Sequence, residues 1–463
     1  MSSSTNTATR QSLRSTAESL LEMARKAGAE HAEVYGYGGT SLSAKMEKGD
    51  LGQVQADEGA SLGLRVILDG RLGFASTNQS SPDALGRVAT DAVAIARLSP
   101  ADEANVLAAP KAADPALHLA DRMDPALASL GVAEVVERAR ALAADTLAHD
   151  ARISVDQASF SAVTGESIVL STAGVDATDR DAALTLSLMA LATEGDETGG
   201  FDYRGSVVRD LVDVDAESAR LAGDVARAAL GNLGARPGES YTGPVLFSPE
   251  AFATAFLSPL LSGVSSMAVQ RGRSALAEKL GEAIAPGLSL IDDPTDRAAA
   301  GARAFDREGS PTSRFPIIED GVLRSFLHNA YTAAVGGAQT TGHAQGGPRS
   351  VPMLGAHAVQ VMASAGTAPE DEAALLRALG SGLYVQRISG SVDGASGDFS
   401  GAAKSARWVK DGEITHSVNE IMLSGNAYEI LRAGMAYSRA QRRLSGSSLI
   451  PWALAPEIPV TAG

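Results

Sequence analysis

The chain has 463 residues, and 44% of them are hydrophobic, so two or three domains with sizeable cores are expected. The formal net charge is −16, which opposes binding to nucleic acid, and the densest basic run, RAQRR at 439–443, reads as a solvated helix end. With no cysteine, disulfides, thiolate zinc ligands and thiol nucleophiles are excluded.

The opening segment, MSSSTNTATRQSLRS, has no apolar core, so it does not read as a secretory signal, and residues 1–9 are expected to be disordered. No apolar run approaches the roughly 20 residues that span a bilayer. The expectation is a cytoplasmic protein with no membrane partner. Residues 10–27 predict a helix, with Leu13, Ala17, Leu20, Leu21 and Ala24 at helical spacing and Gly28 as the stop. HAEVYGYGG at 31–39 reads as extended, and SLSAKME at 41–47 alternates, with Leu42, Ala44 and Met46 on one face. LGLRVIL, Asp69-Gly70 and RLGFAST predict a strand, a tight turn and a strand. Residues 80–100 predict a helix capped by Ser81, with Pro82 in its first turn.

Residues 101–128 are rich in Ala, Asp and Pro and read as a surface connection. Helices are predicted at 131–148 and 214–231, with extended segments at 152–171 and 182–194. LGNLGARPGES is the clearest linker, and it divides the chain into domains at 10–236 and 237–463. Asp320-Gly321 and Asp411-Gly412 mark two more hairpins in the second half, with a helix near 368–379 between them. The fold class is therefore α+β: an N-terminal mixed domain with antiparallel hairpins, then a β-rich antiparallel domain.

Chemistry is harder to find. The histidines are His31, His118, His149, His328, His343, His357 and His416, and no two lie within one helical turn. His343, beside Gly342 in TTGHAQGG, is a candidate to face a substrate. GASLG matches G-x-S-x-G, but Ser61 runs into a hairpin rather than a strand-to-helix elbow. Asp292-Asp293 and Asp306/Glu308 read as turn formers next to Pro and Gly. GASGDFSG at 394–401 is built of small residues that let a ligand approach, so Gly397, Asp398 and Phe399 are candidates for a cleft. FSPEAFATAFLSPLLSG at 247–263 opens as a capped helix, yet nothing after Glu250 in it can titrate or bind a metal. The residues alone point to a binding or structural subunit, or to a site completed by a partner.

Several of these stretches, in order, resemble the TldD/TldE (PmbA) family, also labelled modulators of DNA gyrase. They are LGLRVILDGRLGFASTN, TGPVLFSPEA, FDREGSPTSRFPIIEDGVL, HNAYTAAVGGAQTTGHA, SGDFSGAAKSARWVKDGEI and IMLSGNAYEIL. The resemblance implies a two-domain α+β fold and a heterodimer. One subunit of such a pair carries His-Glu-x-x-x-His on a helix, with a cysteine as third zinc ligand before the S-G-D-F-like segment. The matching helix here puts the ligand positions near Leu257 and Ser262, and the Glu near Ser258. Pro259 would strain that helix if it continued. The resemblance is therefore to the TldE/PmbA branch, the partner without metal.

It implies no cofactor in this chain and no catalytic residue of its own. Zinc is expected in a TldD-like partner, and the substrates are peptides, natural-product precursors or unfolded segments. An alternative is a regulatory or binding module acting on a toxin or topoisomerase system. A further one is a homodimeric hydrolase without metal, around His328, His343 or Ser262.

Overall fold

A computed structural model describes residues 3–111, 124–364, 366 and 368–463, with side chains from residue 13 onward. His118 lies outside the described residues. The first half forms one antiparallel sheet from strands β1 His31–Glu47, β2 Asp50–Leu68, β3 Arg71–Thr77, β4 Ile153–Ser171, β5 Asp176–Glu194, β6 Glu197–Thr198 and β7 Asp202–Val208. Their order is β3-β2-β1-β4-β5, with β6 and β7 both pairing β5.

The alternation of Ala32, Val34, Ala44 and Met46 puts one face of β1 in the core. Helices α1 Ser3–Lys26 and α2 Pro82–Leu98 cover one end of that face. Beyond the short α3 Pro125–Ala128, helices α4 Val132–Leu147 and α5 Val214–Gly231 cover the other end. Helix α2 starts where its cap predicts, since the Ser81 side chain accepts from the Ala84 N–H. Helix α1 begins at Ser3, earlier than the expected start near residue 10.

Strand β1 runs unbroken through YGYGG, where two shorter segments are expected. Its glycines permit close packing rather than a turn. A β-carbon on Gly39 would lie 2.2 Å from the Thr164 carbonyl oxygen of β4. Ser61 sits inside β2 opposite Tyr37, so it has no elbow geometry.

The second half builds a 14-stranded sheet from residues 236–462. At its centre, Tyr241–Phe247 pairs antiparallel with Ser448–Ala462 and parallel with Gly382–Val385. Most other pairings are antiparallel. The Asp-Gly turns at 69–70, 320–321 and 411–412 all join adjacent strands, with both residues at positive φ.

The two halves meet through a buried charge seam that the turn-former reading of FDREGSP misses. Glu33 on β1 accepts from Arg65 Nη2 at 2.7 Å and from Arg307 Nη1 at 2.9 Å. Arg65 Nη1 donates to Glu308 Oε1 at 2.8 Å, and Glu308 Oε2 accepts the Ala330 N–H. Arg307 also stacks over the Tyr35 ring, 4.1 Å from its centre. Asp306 does form the turn, accepting from the N–H groups of Glu308, Ser310 and Ala344, but it does so fully buried. Burial, then the charge of Glu308, pushes its pKa up to about 7.

Candidate functional site

The site is organised by the helical segment at 249–263. Ser248 caps it through the Ala251 N–H, and Pro249 occupies the first turn. The segment is α-helical over Pro249–Phe252, π-helical over Ala253–Leu257 and α-helical again over Ser258–Gly263. The Ser258 N–H reaches the Ala253 carbonyl, five residues back. Pro259 is therefore accommodated, contrary to the expected strain, because the widened turn absorbs a residue that an unbroken α-helix would reject.

One side of this segment is core. Phe256 stands edge-on to Phe247 at 5.1 Å and to Phe399 at 5.8 Å. The other side opens on a cavity of about 710 Å³, bounded by Leu257, Ser258, Leu261 and Ser262 of the helix, Arg271 and Arg273 beyond it, and residues 354–356. Leu257, Ser258 and Ser262, the positions implied for metal ligation, all line this cavity. Leucine offers zinc no donor, and neutral serine hydroxyls do not replace imidazole or carboxylate. The residues present do not fit the metal. Among the described residues no three His, Asp or Glu side chains are grouped to hold one.

The loop at 393–398 packs against the same helix. A β-carbon on Gly394 would lie 2.6 Å from Ser262 Cβ. The Tyr428 hydroxyl lies 2.7 Å from the Pro259 carbonyl and 3.0 Å from that of Gly394, so its single proton bridges helix and loop. Burial pushes this phenol up to about 12, which keeps it protonated.

The expected cleft residues need correction. His343 and Gly342 are buried in the fold rather than exposed on an open loop. His343 Nδ1 lies 2.8 Å from Thr341 Oγ1. Its Nε2 is 3.1 Å from Asp292 Oδ2, close but out of line for a hydrogen bond. The ring stacks on His357 at 5.6 Å. His357 Nε2 is 2.8 Å from the Gly342 carbonyl, and its Nδ1 is 2.7 Å from Gln345 Nε2, which assigns the proton to Nε2. Burial lowers the His357 pKa to about 3, so this ring is neutral. Asp292 is no surface turn. Burial opposes its ionisation, but His343, His357 and the Ala358 N–H outweigh that and hold its pKa below the usual value.

Phe399 is core, and the cavity wall is formed without it. Asp398 is exposed and takes hydrogen bonds from Asn426 Nδ2 and Ser396 Oγ, which lower its pKa. Gly397 packs on Tyr428 behind the loop. Ser262 has no hydrogen-bonded histidine among the described residues, so no nucleophile–base pair is assembled there. Nothing in the local sequence of the cavity-lining Arg271 and Arg273 marks them as facing a cleft.

Three domain profiles of one family match the chain in order: PmbA/TldA metallopeptidase domain 1 at residues 32–96, the central domain at 125–233 and the C-terminal domain at 240–462. The Metalloprotease PmbA of Escherichia coli O157:H7 is 29% identical over 399 residues, covering 85% of this chain and 84% of that protein. The Metalloprotease PmbA homolog of Haemophilus influenzae is 28% identical over 433 residues, covering 92% and 91%. The crystal structure of TldE from Thermococcus kodakarensis superposes with a TM-score of 0.87, at 22% identity, over 96% of this chain and 100% of that one. That likeness shows the fold. No described helix is long and apolar enough to cross a membrane.

Proposed function

The chain belongs to the PmbA/TldA metallopeptidase family, and on that premise we propose that it is the subunit without metal of a two-subunit metallopeptidase. A TldD-like partner carries the zinc, and the pair hydrolyses peptide or amide bonds in small peptides, natural-product precursors or unfolded segments. A cytoplasmic setting belongs to the same proposal.

The observation that carries the reading is the helix at 249–263. It presents Leu257, Ser258 and Ser262 to an open cavity, at the positions implied to hold zinc in the working subunit. Zinc bound in the partner would polarise the scissile carbonyl and activate water. This chain supplies a wall: the largely apolar lining of its open cavity gives a peptide a surface to lie against beside the partner's site.

The test is to purify the chain alone and with a His-Glu-x-x-x-His relative from the same genome. A one-to-one complex should form, and hydrolysis should appear only in that complex and vanish with a chelator. Peptide hydrolysis by the chain alone that survives chelation would refute the reading. Failure to form the complex, with capture of an unrelated target instead, would favour a regulatory module.

A further inference from the structure

We propose that the cavity beside the 249–263 helix binds a peptide carboxylate through Arg271 and Arg273. This rests on the reading of the chain as a chamber wall and adds what the wall recognises.

The cavity has a mixed character. Among the described residues, Arg271 and Arg273 are the only charged ones that line it, and the rest are apolar, glycine or serine. Its volume of about 710 Å³ suits a small ligand or short peptide segment. The chain carries 55 acidic and 39 basic residues, so an arginine has many available partners. Arg65, Arg204, Arg307, Arg442 and Arg443 all take one. Neither Arg271 nor Arg273 makes a side-chain hydrogen bond or ion pair with any described residue, although the Arg271 charge is near enough to act on the Tyr331 phenol.

Their backbone, by contrast, is held. The Arg271 N–H bonds to the Met267 carbonyl and the Arg273 N–H to that of Ala268. Gly272 turns the chain between them at φ 64°. Ser274 Oγ then donates to the Gly263 carbonyl at 2.6 Å, tying this turn to the end of the helix. Two guanidinium groups thus start from a fixed base beside the apolar lining. Guanidinium matches carboxylate geometry with paired N–H donors. An apolar peptide end bearing a carboxylate complements both parts of the cavity. The carboxylate is either the free C-terminus or an acidic side chain. Anchoring it would set how far along the peptide a partner's metal can cut.

The experiment uses the full chain and three probes: N-acetyl-Leu-Ala-Leu as the free acid, the same peptide as its C-terminal amide, and amidated N-acetyl-Leu-Glu-Leu. Calorimetry at low salt should show the free acid binding about tenfold tighter than the amide. The advantage should shrink as salt rises. It should disappear in the R271Q/R273Q variant, whose unfolding temperature should stay that of the parent because both side chains are exposed. If the amidated Glu peptide shares the advantage, the site accepts a side-chain carboxylate; if it does not, the site takes the C-terminus.

Equal binding of all three probes, an advantage that persists in R271Q/R273Q, or no binding of any probe would each overturn the inference. Assembly with the metal-bearing partner is scored separately. A complex that forms and hydrolyses peptides while all three probes bind the chain equally sinks the carboxylate site and leaves the subunit reading standing. Absence of any complex sinks the subunit reading, while binding to the chain alone still decides the site.

Discussion

Gly394 and Ser262 touch so closely that a β-carbon at position 394 would lie 2.6 Å from the serine's own β-carbon. No flexible side-chain end can yield there, because both atoms are fixed by backbone. The contact joins the 393–398 loop to the helix that walls the cavity.

Gly394→Ala should therefore destabilise the protein by about 1–3 kcal/mol through overpacking. Removing the opposing side chain should relieve it, so Gly394→Ala combined with Ser262→Gly should recover much of the loss. A double-mutant cycle by urea unfolding measures this coupling. Additive effects of the two changes would show that the loop is free to move away.

The seam between the halves should be far more sensitive than surface ion pairs. Arg65→Met leaves buried Glu33 and Glu308 without their shared cation, and should cost about 3–5 kcal/mol. Arg14→Ala breaks an exposed pair with Asp176 and should cost less than about 1 kcal/mol. Chemical denaturation of both variants gives the comparison. Equal, small losses would mean that the seam relaxes without Arg65.

Two buried groups should give opposing pH dependences. His357 is lowered to about 3 in the folded state, chiefly by burial. Its unfolded value is about 6.5, so its contribution is complete above that pH and lost as pH falls toward 3. Asp306 is raised to about 7, by burial and then by Glu308. Its unfolded value is about 3.9, so its contribution is complete below that pH and lost as pH rises through 7.

Between roughly pH 4 and 6.5 the two slopes oppose each other in the parent. In Asp306→Asn, stability should rise with pH across this window more steeply than in the parent, by up to about 1.4 kcal/mol per unit. In His357→Gln it should instead fall more steeply. Urea midpoints at several pH values test both signs, and parallel curves for all three proteins would contradict them.

The helix at 249–263 should not bind zinc tightly. The purified chain, dialysed against zinc and then buffer, should retain far less than one equivalent by elemental analysis. Chelator treatment should leave its unfolding temperature unchanged, because no folded-state ligand set is lost. A stoichiometric metal whose removal lowers that temperature would contradict the assignment of the metal to a partner.

Much of the local structure was legible because it depends on neighbouring residues. The Asp-Gly turns needed only two positions that tolerate positive φ, at 69–70, 320–321 and 411–412. Helix α5 needed only its apolar stripe, and Val214–Gly231 matches the expected span. The lack of metal donors near Leu257, Ser258 and Ser262 could also be read directly from residue types.

Burial was not legible in this way. Arg307 bonds Glu33 across 274 positions, and His343 meets Asp292 beneath a stacked His357. FDREGSP looks like a surface turn until β1 and β2 cover it, and TTGHAQGG looks like an open loop until the ring of His343 is enclosed. By itself the sequence determined turns, helix spans and the chemistry that residues cannot perform, since these follow from short-range sterics and side-chain type. Only the tertiary structure decided which charges lose water, which histidine is closed off and which arginines look into the cavity, because desolvation depends on what distant segments pack on top.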